Sequence, residues 1–235
     1  MNDALENLLK RPGLWRAGGA DDNVTPGLPT GYPRLDRQLP GGGWPRHALT
    51  EILLEQYGAG ELKLVMPALA RLSRTDDGSE DDVDRGGSRE RWLAWIAPPF
   101  QPYPPALLQW GIDIARLLIV RPKSDSDRSE IRSEILWAAE QALASGTCAA
   151  VLLWPRPVDR IIDHTTSRRL QLAAARGHSQ AFLFRTFRAL LQPSAAALRL
   201  KLEAGTQGTD VGILKSRGGR PAVVRNYSHH DEHAE

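Results

Sequence analysis

The stretch Ala48-Leu49-Thr50-Glu51-Ile52-Leu53-Leu54, followed by Glu55-Gln56-Tyr57-Gly58-Ala59-Gly60 and then by Glu61 to Leu72, sets the fold. Its first part is a short, largely apolar run, the signature of a strand buried on both faces. In its last part Leu62, Val65, Leu69 and Leu72 recur at helical spacing. A strand, a glycine-containing loop and a helix therefore succeed one another.

Downstream the same alternation repeats. Trp92 to Ile96, Leu117 to Val120, Ala149 to Trp154 and Ala181 to Arg185 read as strands. Pro105 to Trp110, Glu130 to Ala144 and Ser167 to Arg176 read as the helices between them. This spacing predicts an α/β fold built on a mostly parallel, doubly wound sheet with helices on both faces. After Pro193, Leu198, Leu200 and Leu202 alternate with Arg199 and Lys201, the pattern of a half-exposed strand. Val211 to Lys215 is its expected partner across Gly205-Thr206-Gln207-Gly208, so a C-terminal antiparallel hairpin completes the sheet.

Outside these elements, residues 1–25 read as an N-terminal arm and residues 26–224 as one domain. Residues 75–90 lack apolar periodicity and predict a flexible acidic loop, and residues 225–235 predict a disordered tail. Hydrophobic residues make up 41% of the 235 and charged residues 25%, enough to bury a core and incompatible with a fibrous chain. No apolar run has the length of a membrane span, and the start lacks a signal core, which predicts a cytoplasmic protein. One cysteine, Cys148, excludes an internal disulfide framework and a cysteine metal cluster. The net charge of +2 conceals residues 75–90, where seven acids face two arginines; the rest of the chain carries about +7.

The glycine loop invites comparison with phosphate-binding loops, because free N–H groups at a helix N-terminus attract anions. A nucleoside-triphosphate loop needs a lysine and a hydroxyl after its last glycine. Here Gly58 and Gly60 are followed by Glu61, and Gly-Lys occurs nowhere in the chain. A carboxylate at that position stabilises the helix by about 0.3–1 kcal/mol and repels phosphate through the same field. Trp154-Pro155-Arg156 and Ala97-Pro98-Pro99 close two strands without the carboxylate that a magnesium site requires. No cofactor and no metal site are expected; His229, His230 and His233 sit in the tail without supporting ligands.

These segments together resemble the RecA-like proteins. The resemblance rests on Thr30-Gly31 with Leu35-Asp36, Gly41-Gly42-Gly43-Trp44-Pro45, Glu51-Ile52, Leu107 to Leu118, and Ile213-Leu214-Lys215-Ser216-Arg217, and covers roughly residues 24–224. Leu14-Trp15-Arg16, Glu51-Ile52-Leu53-Leu54 and Gly58-Ala59-Gly60-Glu61-Leu62 are most similar to the ImuA family within that group. The resemblance places the recombinase's phosphate-binding lysine at Gly60, its magnesium hydroxyl at Glu61, its catalytic glutamate at Pro99 and its strand-end aspartate near Trp154. None of the four is present, which implies a degenerate nucleotide loop and no enzyme activity.

ImuA-type proteins belong to damage-induced translesion DNA synthesis, the mutagenic branch of DNA repair in the SOS response. The resemblance therefore implies an adaptor for ImuB and an error-prone DNA polymerase, associated with the nucleoid, with RecA and single-stranded DNA as further partners. Lys215 and Arg217 match the two cations that reach a neighbouring subunit in a recombinase filament, and with Trp15 and Trp44 they are the candidate protein interface. A solvated strand explains the two cations equally well; Trp15 and Trp44 sit in glycine- and proline-containing loops, whereas Trp92, Trp95 and Trp154 lie on predicted strands, where core packing is the default. Arg156, Arg160, Arg168, Arg169, Arg185 and Arg188 lie in or beside the segments that match the recombinase's DNA loops. They are either contacts to phosphate or surface arginines flanking a sheet edge. Two alternatives stand beside this reading. One is a SulA-like inhibitor of cell division that binds FtsZ, and the other is an ATPase with an unconventional site.

Overall fold

A computed structural model of the chain describes residues 25–73, 91–122, 127–155, 162–206 and 208–227. The expected arm up to residue 24, the acidic loop, and all but the first three residues of the expected tail lie outside the described residues.

Eight strands form one sheet among the described residues. They are β1 (Leu49–Leu54), β2 (Trp92–Ile96), β3 (Leu117–Val120), β4 (Cys148–Leu153), β5 (Gln180–Thr186), β6 (Leu198–Gly205), β7 (Gly208–Ser216) and β8 (Ala222–Val224). Their order is β3-β2-β4-β5-β1-β6-β7-β8. The first six run parallel, and β7 and β8 are antiparallel to their neighbours, as the sequence pattern predicts for all but the last strand.

Five helices accompany the sheet among the described residues: α1 (Pro33–Asp36), α2 (Glu61–Ser73), α3 (Pro104–Gln109), α4 (Arg128–Ala144) and α5 (His164–Arg176). From β1 the chain passes through α2 to β2, which lies three places away in the sheet. Helix α2 packs on β2 and β4 from one side, while α4 and α5 cover β2, β4, β5 and β1 from the other. The sheet is thus doubly wound, and its central strands β1 and β4 are buried along their whole length because both faces are covered. On the α2 side Ile52, Leu54, Val65, Leu69, Trp95 and Phe182 form the core; on the other side Leu49, Ile135, Leu143, Val151, Leu170 and Leu183 do.

Helix α5 starts where Asp163 accepts the Thr166 N–H at 2.7 Å, a side-chain cap on an otherwise unpaired donor. Strand β6 buries every second residue, as its Leu/Arg/Lys alternation predicts, since only its Leu198, Leu200 and Leu202 face joins the α2-side core.

Trp44 is not an interface residue. Leu28 and Trp44 exchange both backbone hydrogen bonds in a short bridge, and this carries the indole into the α2-side core, edge-on to Phe182 at 5.3 Å. It is wholly buried. Its glycine and proline neighbours describe the turn correctly but not the side chain's direction. Trp92 departs the other way: it opens β2 with 43% of its surface exposed, whereas Trp95 and Trp154 are core. Trp15 lies outside the described residues.

Trp44→Ala is expected to lower stability by about 3–5 kcal/mol, the cost of emptying a large aromatic site in a packed core. Urea unfolding of the two proteins checks this. A loss below about 0.5 kcal/mol, the range of surface substitutions, contradicts the burial.

Candidate functional site

In a doubly wound sheet the crevice for a ligand lies beyond the C-terminal ends of the strands, where the chain switches faces. Here that place is the loop from Glu55 to Gly60, between β1 and α2. Gly58 and Gly60 have φ of +88° and +100°, a region in which a side chain is strained, and they bend the loop into the helix start. The Gly60 carbonyl accepts the first helical bond, from the Leu64 N–H at 3.2 Å.

Glu61 then folds back over its own loop. Its Oε1 accepts the Gly58 N–H at 2.8 Å, so a carboxylate holds an amide that in an anion-binding loop would face the anion. The side chain is buried, and its Oε2 has no hydrogen-bond partner among the described residues. The Phe100 ring lies against Gly58, 3.0 Å from where a Cβ would stand, and covers the loop from outside.

The core next to this loop is aromatic. Trp154 stacks on Phe184 with ring centroids 4.7 Å apart, and Trp95 lies 5.7 Å from Trp154. Tyr57 donates its hydroxyl to the carbonyls of Pro155 and Phe184. Burial pushes the Tyr57 phenol up; the nearby Glu61 adds to this and Arg185 opposes it. Apolar rings thus fill the place where a strand-end carboxylate and its metal need polar surroundings.

The strongest electrostatic feature lies behind this loop, in the sheet itself. Glu51 on β1 is fully buried, and both its oxygens are taken by arginines of the flanking strands. Arg185 Nη1 on β5 lies 2.7 Å from Oε1, and Arg199 Nε on β6 lies 2.6 Å from Oε2. The remaining nitrogens reach the segment after β5. Arg185 Nη2 donates to Gln192 Oε1, and Arg199 Nη2 donates to the Ala189 carbonyl at 3.0 Å. Next to Arg199 across the hairpin stands Lys215, whose Nζ donates to the Ser194 carbonyl at 3.0 Å. Partial burial, then the neighbouring charges of Arg199 and Arg217, pulls the Lys215 ammonium pKa down.

The candidate residues therefore divide. Lys215 and Arg217 are exposed at the end of the hairpin, as an interface requires. Arg185 is no phosphate contact, because it is buried and already engaged by Glu51 and Gln192. Arg169 points outward but pairs with Glu140 on α4 at 2.7 Å. Arg168 and Arg188 are exposed. Arg156 and Arg160 lie outside the described residues. Sequence reading missed the Glu51 triad, whose partners lie 134 and 148 positions away. It also missed Leu191, almost wholly exposed on the segment the triad holds. An acid in the middle of an otherwise apolar strand was the signal for the triad, because a buried charge demands a partner.

The chain is a doubly wound α/β domain with a glycine loop closed by its own carboxylate. No family model matches it. It is 33% identical over 154 residues to Protein ImuA of two Caulobacter vibrioides strains, NA1000 / CB15N and ATCC 19089 / CIP 103742 / CB 15. The match takes in 63% of this chain and 53% of each relative, so the chain spans about half the length of the curated relatives it matches. The resemblance to ImuA read from the sequence is thus found by direct comparison. The crystal structure of SulA from Pseudomonas aeruginosa aligns at a TM-score of 0.39 with 25% identity, covering 58% of this chain and 97% of that one. No helix among the described residues is long and apolar enough to cross a membrane.

Glu51→Gln leaves two buried arginines with one neutral acceptor and is expected to cost about 3–5 kcal/mol in urea unfolding. Replacing Glu51, Arg185 and Arg199 together by Leu or Met is expected to restore most of that stability. Amide exchange in residues 187–197 should nevertheless stay faster than in the parent protein. Unchanged exchange there means that the triad does not hold the segment.

Proposed function

We propose that this protein is a non-catalytic, RecA-like accessory protein of SOS-induced translesion DNA synthesis, an adaptor in an ImuA–ImuB assembly. The observation that carries the reading is the Glu61 carboxylate on the Gly58 amide, within a loop that lacks the lysine and hydroxyl of a nucleotide site. Such a loop keeps the geometry of a phosphate cradle while its charge repels the ligand. The strand order, the doubly wound helices and the antiparallel hairpin support the RecA-like part. The likeness to ImuA supports the assignment to damage-induced mutagenesis.

A domain that does no chemistry acts through its surfaces. ImuB and an error-prone DNA polymerase are its partners in this reading, and the exposed pair Lys215 and Arg217 faces RecA. Single-stranded DNA is a further ligand, with Arg168 and Arg188 as the exposed arginines in place to meet phosphate. The protein works in the cytoplasm, at the nucleoid.

The test is capture of purified ImuB, RecA and FtsZ on the immobilised full chain. Binding of ImuB, with RecA captured in a salt-dependent manner that Lys215→Glu with Arg217→Glu weakens, is the expected result. Capture of FtsZ alone overturns the reading in favour of a division inhibitor.

A further inference from the structure

The segment after β5 is fastened more firmly than a loop needs to be. It opens with a 3-10 turn, Phe187–Ala189, and closes on Ala197, whose N–H donates to the Leu49 carbonyl at 2.9 Å. Between these ends three cationic side chains hold it from the sheet: Arg185 through Gln192, Arg199 through the Ala189 carbonyl, and Lys215 through the Ser194 carbonyl. From the opposite side Ser167 on α5 accepts the Ala195 N–H at 3.0 Å. Ala189, Ala196 and Ala197 are buried beneath it.

At the tip of this clamped segment Leu191 is 99% exposed, with Arg188 exposed three residues before it. Single exposed leucines are ordinary on a protein surface. This one differs in that the chain on either side of it is held, at the backbone of Ala189, Ser194 and Ala195 and at the Gln192 side chain, by residues of three strands and a helix, and Pro193 stiffens the chain just beyond it. Ordering such a loop in advance removes the entropy that binding would otherwise cost.

We infer that Leu191 is the apolar anchor of the protein-binding edge formed by Arg188, Lys215 and Arg217, and that it inserts into an apolar pocket rimmed by carboxylates on a partner protein. The partner's chemistry is set by the edge. A leucine presented without neighbours fits a pocket rather than a flat face. The exposed cations flanking the loop call for acidic groups around that pocket. Glu51 is the positioning residue, since it sets both arginines that hold the loop. This inference rests on the adaptor reading and adds the residue that reading lacks.

The test uses the full chain titrated against immobilised ImuB and RecA at two salt concentrations. Leu191→Ser is the informative variant, because a fully exposed side chain can be changed without touching the core. It is expected to weaken the bound partner about tenfold or more, the worth of burying a leucine, at both salt concentrations and with an unchanged salt slope. Lys215→Glu with Arg217→Glu should instead flatten the slope. If the parent chain binds either partner and Leu191→Ser binds equally well, the anchor is wrong while the adaptor reading stands. If the parent binds neither, both fall. A single-stranded oligo-dT bound by the parent and lost on Arg188→Glu with Lys215→Glu, with the protein partners unaffected by Leu191→Ser, assigns the edge to nucleic acid and overturns the inference.

Discussion

One buried carboxylate ties the two parts of this sheet together. Glu51 sits in the central strand β1, between the parallel strands that carry the helices and the hairpin that completes the sheet. A lone charge in that position would be too costly to keep. With Arg185 on one side and Arg199 on the other each oxygen is satisfied, and the pair of arginines is left with donors to spare. Those donors fix the segment between β5 and β6. Removing any one member strands the others, so the arrangement is all or nothing in a way that an apolar contact is not.

A second buried glutamate, ten residues on, has the opposite outcome. Glu61 meets no cation among its hydrogen-bond partners; it turns back onto the Gly58 amide and is buried. Beside it Tyr57, Trp154, Phe184 and Trp95 pack into the aromatic part of the core. The two carboxylates thus divide the work of charge in this molecule. One closes the loop between β1 and α2 onto its own amide, and the other pairs the two arginines that hold the segment after β5.

Much of this was legible in the sequence. The strands β1, β2, β4 and β5 are apolar runs because core covers both their faces, and β6 alternates because only one of its faces joins the core. Strand β8 was not legible, being three residues long and flanked by Pro221 and Arg225. The altered glycine loop could be read directly, since the chemistry of a phosphate site depends on residue types at fixed spacing. Side-chain direction could not. Arg185 has the composition of a phosphate contact, and only the approach of Glu51 from another strand shows that its charge is already paired. Trp44 reads as a loop residue from its neighbours and becomes core through a bridge to Leu28. Leu191 carries no signal in the sequence that sets it apart from the other leucines, and it stands at the surface with the chain held on either side of it.

In the function proposed for this protein, the loop between β1 and α2 has the shape of a phosphate loop and binds no nucleotide. Equilibrium titration of the purified full chain with a fluorescent ATP analogue and magnesium tests it most directly. The predicted result is no saturable binding. Saturable binding in the micromolar range, abolished by Gly58→Val or Gly60→Val, would contradict it.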